Sequence, residues 1–142
     1  MILLDTNVLS EFMRPAPSTQ LVTWLDAQPV GQVWVSAITR AEIELGVALL
    51  PDGERKRGLH MAASAMFREE FAGRCLPFDE SAATSYASVV ALRARLGRPI
   101  SVEDAQIAAI ALVRGLVLAT RNTRDFELIE GLRVVNPWVG GP

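Results

Sequence analysis

Charge of one sign is what this chain lacks first. Fourteen basic against sixteen acidic residues leave a formal net charge of -2 over 142 residues. Such a chain has no general field to hold nucleic acid non-specifically, so any contact with it must be local. Cysteine is almost absent. Cys75 stands alone, which excludes an internal disulfide, offers no CxxC or His/Cys spacing for zinc, and fits a reducing compartment such as the cytoplasm. A single histidine, His60, gives neither a zinc site nor a catalytic triad a partner, and reads as a surface residue of a polar helix. The only lysine, Lys56, sits in the Glu54-Arg55-Lys56-Arg57 run, which reads as the solvated start of a helix. Long apolar runs are missing too. The longest, Ile107 to Val113, is far short of a membrane span and is closed by Arg114-Gly115. Ile2-Leu3-Leu4 is too short for the apolar core of a signal peptide and has no basic region before it. Neither GxGxxG nor GxxxxGK[ST] occurs, which speaks against a nucleotide-binding module.

What is present is apolar mass, half of all residues, enough for one proper core, so residues 1–142 are expected to form a single domain. Strand-like and helix-like stretches alternate, the pattern of an α/β fold with a parallel sheet between helices. Ile2-Leu3-Leu4, Val33-Trp34-Val35, Cys75-Leu76-Pro77-Phe78, Leu116-Val117-Leu118-Ala119 and Val134-Val135 read as strands. A short helix through Val8-Leu9 ends near Pro15. Ser18 or Thr19 caps a second, Ser36 a third running to Leu50, Asp79 one that lasts to Leu96, and Ser101 one from Val102 to Arg114. After the Pro51-Asp52-Gly53 turn a further helix is expected from Glu54 to Ala72.

Placed on these elements, the acids become informative. Asp5 follows the first strand directly, at the sheet edge where ligands bind in open α/β folds. In the helix from Ala37, residues Ile38, Ala41, Leu45 and Leu49 have the spacing of a core-facing stripe, and Glu42 projects within about 40° of Ile38. In the helix from Val102, Asp104 shares a face with Ile107, Ala108 and Ala111. Helices of a parallel sheet begin where strands finish, so Asp5, Glu42 and Asp104 fall on one rim. Ionised carboxylates brought together at a partly buried rim need a cation, and no lysine or arginine shares these stripes. A hard divalent ion with oxygen ligands, Mg²⁺ or Mn²⁺, meets that need. Each acid alone also fits a structural role. Thr39 to Glu42 and Ser101 to Asp104 match the capping-box pattern, and Asp5 fits an Asx-turn after a strand. Trp24, Trp34 and Trp138 read as core or interface residues.

The stretches "MILLDTNVLSE", "SAITRAEIELGV", "SVEDAQIAAIA" and "LATRNTRDF", in that order and at those separations, resemble the PIN-domain ribonucleases, in particular the VapC toxins of bacterial type II toxin–antitoxin pairs. The terminal "VVNPW" is similar to the FitB-like subgroup, and the resemblance runs from Met1 to Trp138. It implies an α/β/α sandwich around a small parallel sheet, a Mg²⁺- or Mn²⁺-dependent endoribonuclease that hydrolyses RNA phosphodiesters, neutralisation by a cognate VapB-like antitoxin, and a homodimer within the toxin–antitoxin complex. By matching motif, Asp5, Glu42 and Asp104 take the family's acidic positions. Where many relatives carry an acid after Thr-Arg, this chain has Asn122, with Asp125 three residues on, so either residue fills the fourth position. Thr6, Asn7 and Thr120 then hold the acids in register, and Arg121 and Arg124 hold flanking phosphates. Two metals about 3.5–4 Å apart need no histidine base.

Two other readings stay open. A receiver-type signalling domain also gathers acids around Mg²⁺, but Lys56 lies outside the place its lysine would take. A PIN-like fold kept only for binding is the other, and metal-dependent cleavage separates it from the enzyme. Finally, Leu59, Met61, Met66, Phe67 and Phe71, with Val47, Leu49 and Leu50, exceed what a small sheet covers, so part of this surface is expected to form a groove. An amphipathic antitoxin helix fits such a groove, its trailing segment bringing a basic side chain toward Asp5 and Asp104.

Overall fold

The computed structural model describes residues 1–139. Residues 140–142 of the expected single domain lie outside the described residues. Five parallel strands form one sheet: β1 (Ile2–Leu4), β2 (Val33–Ser36), β3 (Cys75–Leu76), β4 (Val117–Ala119) and β5 (Val134–Val135), in the order β3-β2-β1-β4-β5. Six α-helices connect them: α1 (Thr6–Phe12), α2 (Thr19–Asp26), α3 (Ala37–Ala48), α4 (Glu54–Ala65), α5 (Glu80–Arg95) and α6 (Val102–Arg114).

The strands are short apolar runs covered on both faces, and alternation along each strand divides its side chains between two apolar layers. Leu3 and Leu118 point into the layer built by α5 and α6, with Ala105, Ile107, Ala108 and Ile110. Leu4, Val35 and Ala119 point the other way, against Val8, Leu9, Leu21, Ile43, Met66 and Phe67. The result is the expected α/β/α sandwich. Helix α6 is apolar nearly all round because it lies between the sheet and α5, and Gly115, with φ of 67°, supplies the left-handed turn that returns the chain into β4.

Sheet order settles where a ligand would sit. The chain winds outward from β1 in one direction to β2 and β3, and in the other to β4 and β5, so the order reverses between β1 and β4. That crevice, at the carboxyl ends of those strands, is the switch point of the fold. The order also differs from the 2-1-3-4-5 arrangement of receiver-like folds.

Four expectations are corrected. On α3 the buried line is Thr39, Ile43 and Val47, while Leu45 is 58% and Leu49 75% exposed. Ala41 is exposed as well. Spacing alone points to the stripe of Ile38, Ala41, Leu45 and Leu49, but α3 packs between α1 and α4, which turns a different face inward. Helix α4 ends at Ala65 and widens into one π-helical turn, Met66–Glu70, which swings Met66, Phe67 and Phe71 into the core. Those three are therefore mostly internal packing, with Phe67 and Phe71 each showing an edge to a surface pocket away from the acids. Pro77 limits β3 to two residues.

Candidate active site

Asp5 is built in by its own helix. It is the N-cap of α1, its Oδ1 accepting from the Thr6 backbone N–H at 2.8 Å, and it is only 4% exposed. Its Oδ2 accepts from the Thr120 hydroxyl at 2.7 Å and from the Asn7 amide at 3.2 Å. Thr120 stands just past β4, the strand paired with β1, so the sheet register brings the two together. Its hydroxyl is fully used: it donates to Asp5 and accepts from Asn7 Nδ2 at 3.2 Å and the Asn122 backbone N–H at 3.1 Å. Three of roughly four acceptor sites on Asp5 are thus occupied, leaving about one for a ligand.

Glu42 is held by threonines. Thr6 Oγ1 donates to Glu42 Oε1 at 2.6 Å; having spent its only proton there, it accepts from Thr39 Oγ1 at 3.0 Å. Glu42 makes no capping bond. The cap of α3 is Ser36, whose hydroxyl accepts from the Thr39 N–H, so the capping-box reading of Thr39 to Glu42 fails by one turn. Ser101 does cap α6, through the Asp104 backbone N–H at 3.2 Å, and the Asp104 carboxylate, with the Ser101 hydroxyl beside it, lines the crevice.

Asp5, Thr6, Asn7, Glu42 and Asp104 line a pocket of about 680 Å³ with Ser10, Glu11, Arg14, Arg55 and Asn122. Burial raises the Asp5 carboxyl above its ordinary range, the hydrogen bonds from Thr120 and Thr6 oppose this, and the charges of Glu42 and Asp125 add to it. Asp104 is pushed up to about 6, by burial first and then by the negative charge of Asp5, despite the Ser101 hydroxyl beside it, with Asp125 and Glu42 adding to the rise. Asp5, Glu42 and Asp104 take no part in any ion pair among the described residues. Nor, among those residues, do three acids draw together tightly enough to hold a metal ion by themselves. The donor set suits a hard cation that keeps part of its water shell, the usual habit of Mg²⁺.

The two candidates for the fourth position separate clearly. Asn122 lines the pocket. Asp125 is exposed on the following 3₁₀ turn, Thr123–Phe126, and reaches Asp5 and Asp104 only through its charge. Arg121 lies with its guanidinium 5.0 Å over the Trp138 ring, its backbone N–H donating to Asn7 Oδ1. Arg124 is exposed on the same turn.

A match to the PIN domain covers residues 2–132. This chain belongs to the PIN-domain family. It is 46% identical to Toxin FitB of Neisseria gonorrhoeae over 97% of this chain and 99% of that protein. It is 41% identical to the VapC ribonuclease Y4jK of Sinorhizobium fredii, over 97% and 98% of the two chains. Among solved structures, FitAB bound to an IR36 DNA fragment superposes with a TM-score of 0.89 at 45% identity, over 97% of this chain and 96% of that one. PIN-domain nucleases of the VapC kind are generally dependent on divalent metal.

Sequence reasoning missed part of this PIN site. Arg55 is exposed, as its place in a solvated helix start implies, and it also reaches the pocket edge because α4 packs beside α3. Asn7, Ser10, Glu11 and Arg14 recur at the spacing of one helical face, a signal that would have put Arg14 and Glu11 beside Asn7.

Proposed function

We propose that this chain is a Mg²⁺- or Mn²⁺-dependent endoribonuclease and the toxin of a toxin–antitoxin pair, working in the cytoplasm as one domain. The observation that carries this reading is a set of unpaired carboxylates at the switch point of a PIN-domain chain that has no histidine there. Asp5, Glu42 and Asp104 would hold the ion. When bound, it would supply an activated water and charge neutralisation at the scissile phosphate.

The chain's own groups do the rest. Thr120, Asn7 and Thr6 fix the rotamers of Asp5 and Glu42, so binding does not have to order them. Asn122 offers its amide to a phosphate or water, and Asp125 adds negative charge from the rim. Arg14 and Arg55 on the pocket wall, with Arg121 and Arg124 beyond it, take flanking phosphates and supply the local positive charge that the net balance withholds.

A second groove, of about 690 Å³, shares Thr6, Ser10, Arg14, Glu42 and Arg55 with the acidic pocket and continues along Met13, Ile43, Val47, Leu50 and Leu59. An amphipathic antitoxin helix laid there would deliver a basic side chain to the carboxylates. The toxin would pair with a second copy within that complex.

The test is cleavage of total cellular RNA with mapped ends, in Mg²⁺ or Mn²⁺ and in EDTA, beside Asp5→Asn. Metal-dependent cuts lost in the variant support the enzyme. Absence of any such cut from the wild-type protein would leave a PIN fold used only for binding.

A further inference from the structure

Arg93 is the only buried cation among the described residues, 3% exposed and with no carboxylate partner among them. A guanidinium removed from water is costly unless its N–H groups find acceptors. Here the acceptors are all backbone carbonyls. Nε donates to the Arg98 carbonyl at 2.6 Å, and Nη1 donates to the carbonyls of Asp125 at 2.8 Å and Glu127 at 3.1 Å. The Arg98 N–H donates back to the Arg93 carbonyl at 2.9 Å, closing a reciprocal pair.

The bonded segments are distant in sequence and adjacent at the site. One is the turn after α5, which runs from Gly97 into Ser101, the cap of α6, and so delivers Asp104. The other is the 3₁₀ turn after Asn122, which carries Asp125. Arg98 and Glu127 join the same two segments at the surface, Nη2 to Oε2, at 3.4 Å. Leu128, next along, has φ of 62° and is the only non-glycine residue in the left-handed region among those described. Such a conformation persists where surrounding contacts over-determine it.

We infer that Arg93 is a positioning residue whose guanidinium, from inside α5, sets the distance between the segment presenting Asp104 and the turn presenting Asn122 and Asp125. Its catalytic consequence rests on the ribonuclease reading; its structural consequence does not. A purely structural arginine would cost stability and nothing more. A positioning one also changes the site in molecules that remain folded.

The experiment compares wild type, Arg93→Gln and Arg93→Lys at a temperature where circular dichroism shows each to be folded. Without RNA, hydrogen exchange at the Asp125 and Glu127 amides, which donate to the Asn122 and Arg124 carbonyls, should quicken about tenfold in Arg93→Gln while β4 stays protected. Mn²⁺ alone should bind about tenfold more weakly. On an oligonucleotide spanning a mapped cut, kcat should fall about ten- to a hundredfold with KM changed by less than about twofold, and Arg93→Lys should lie between. If Arg93→Gln does not fold, Arg93→Lys carries the same readouts. Unchanged exchange, Mn²⁺ affinity and kcat in the folded variants would overturn the inference. If the wild type cuts no RNA, the ribonuclease reading fails, and exchange with Mn²⁺ affinity still decides the role of Arg93.

Discussion

The two walls of the acidic pocket are built on different plans. On the wall made by β1, α1 and β4, Asp5 is nearly inaccessible and accepts three hydrogen bonds, from Thr6, Asn7 and Thr120. On the wall made by the start of α6, Asp104 is half-buried, supported chiefly by the Ser101 hydroxyl, and pushed up to about 6. One carboxylate is fixed before anything binds. The other has fewer hydrogen bonds to hold it, and the carboxyls on both walls lie above their ordinary range because burial leaves their charge incompletely compensated. A site of this form would hold its geometry through hydrogen bonds on one side and, were a cation bound, gain affinity from relief of the repulsion on the other.

The largest effect expected from breaking this contrast is on cleavage. Asp5→Asn and Asp104→Asn should each reduce the rate by more than about a hundredfold, measured on a mapped RNA substrate in Mn²⁺. Both should fold, because Asn is as good an N-cap as Asp at position 5 and the cap of α6 belongs to Ser101. Wild-type rates in both variants would remove the site from these residues.

Next comes the support of the fixed wall. Thr120→Val deletes the donor to Asp5 and leaves the Asn7 amide and the Asn122 N–H short of an acceptor. A loss of about 10–100-fold in cleavage is expected, with weaker Mn²⁺ affinity by calorimetry. An equal loss on replacing Ser101 by Ala would blur the distinction between the walls.

A smaller effect separates Asn122 from Asp125. Asn122→Ala should lose more activity than Asp125→Ala, by about threefold, because only Asn122 lines the pocket. The reverse order would put the Asp125 carboxylate in direct contact with the ion.

Much of this was readable from residue order, and the parts that were not have a common physical origin. The five strands and most helix caps follow from local patterns: short apolar runs, Ser36, Asp79 and Ser101 as caps, and Gly115 at a positive φ. The convergence of Asp5, Glu42 and Asp104 followed from the rule that helices start where parallel strands end. What was wrong or not legible depended on partners distant in sequence. The inward face of α3 is chosen by α1 and α4, the π turn at Met66 by the need to bury Phe67 and Phe71, and the burial of Arg93 by carbonyls of Asp125 and Glu127. No periodicity in a single segment records those choices.

The smallest effect is on stability and its pH dependence. The Asp104 carboxyl lies above its ordinary value of 3.8 in the folded chain, so the native state binds that proton more tightly than the unfolded one. Stability of the metal-free protein should therefore fall as pH rises from about 4 through about 6, and Asp104→Asn should recover about 1 kcal/mol at pH 7 after solvent screening. That corresponds to a melting temperature higher by about 3 °C in EDTA. A metal-free variant less stable than wild type at pH 7 would mean that Asp104 is already compensated.

The central claim, that the open wall's carboxylate is completed by a divalent ion, is tested most directly by calorimetric titration of Mn²⁺ into wild type, Asp5→Asn and Asp104→Asn at pH 5, 6 and 7. Wild type should bind more tightly as pH rises and release protons on binding near pH 6, as Asp104 gives up its own, while Asp104→Asn should bind at least about tenfold more weakly and release fewer protons, those left coming from Asp5. Equal affinity and equal proton release in wild type and Asp104→Asn would contradict it.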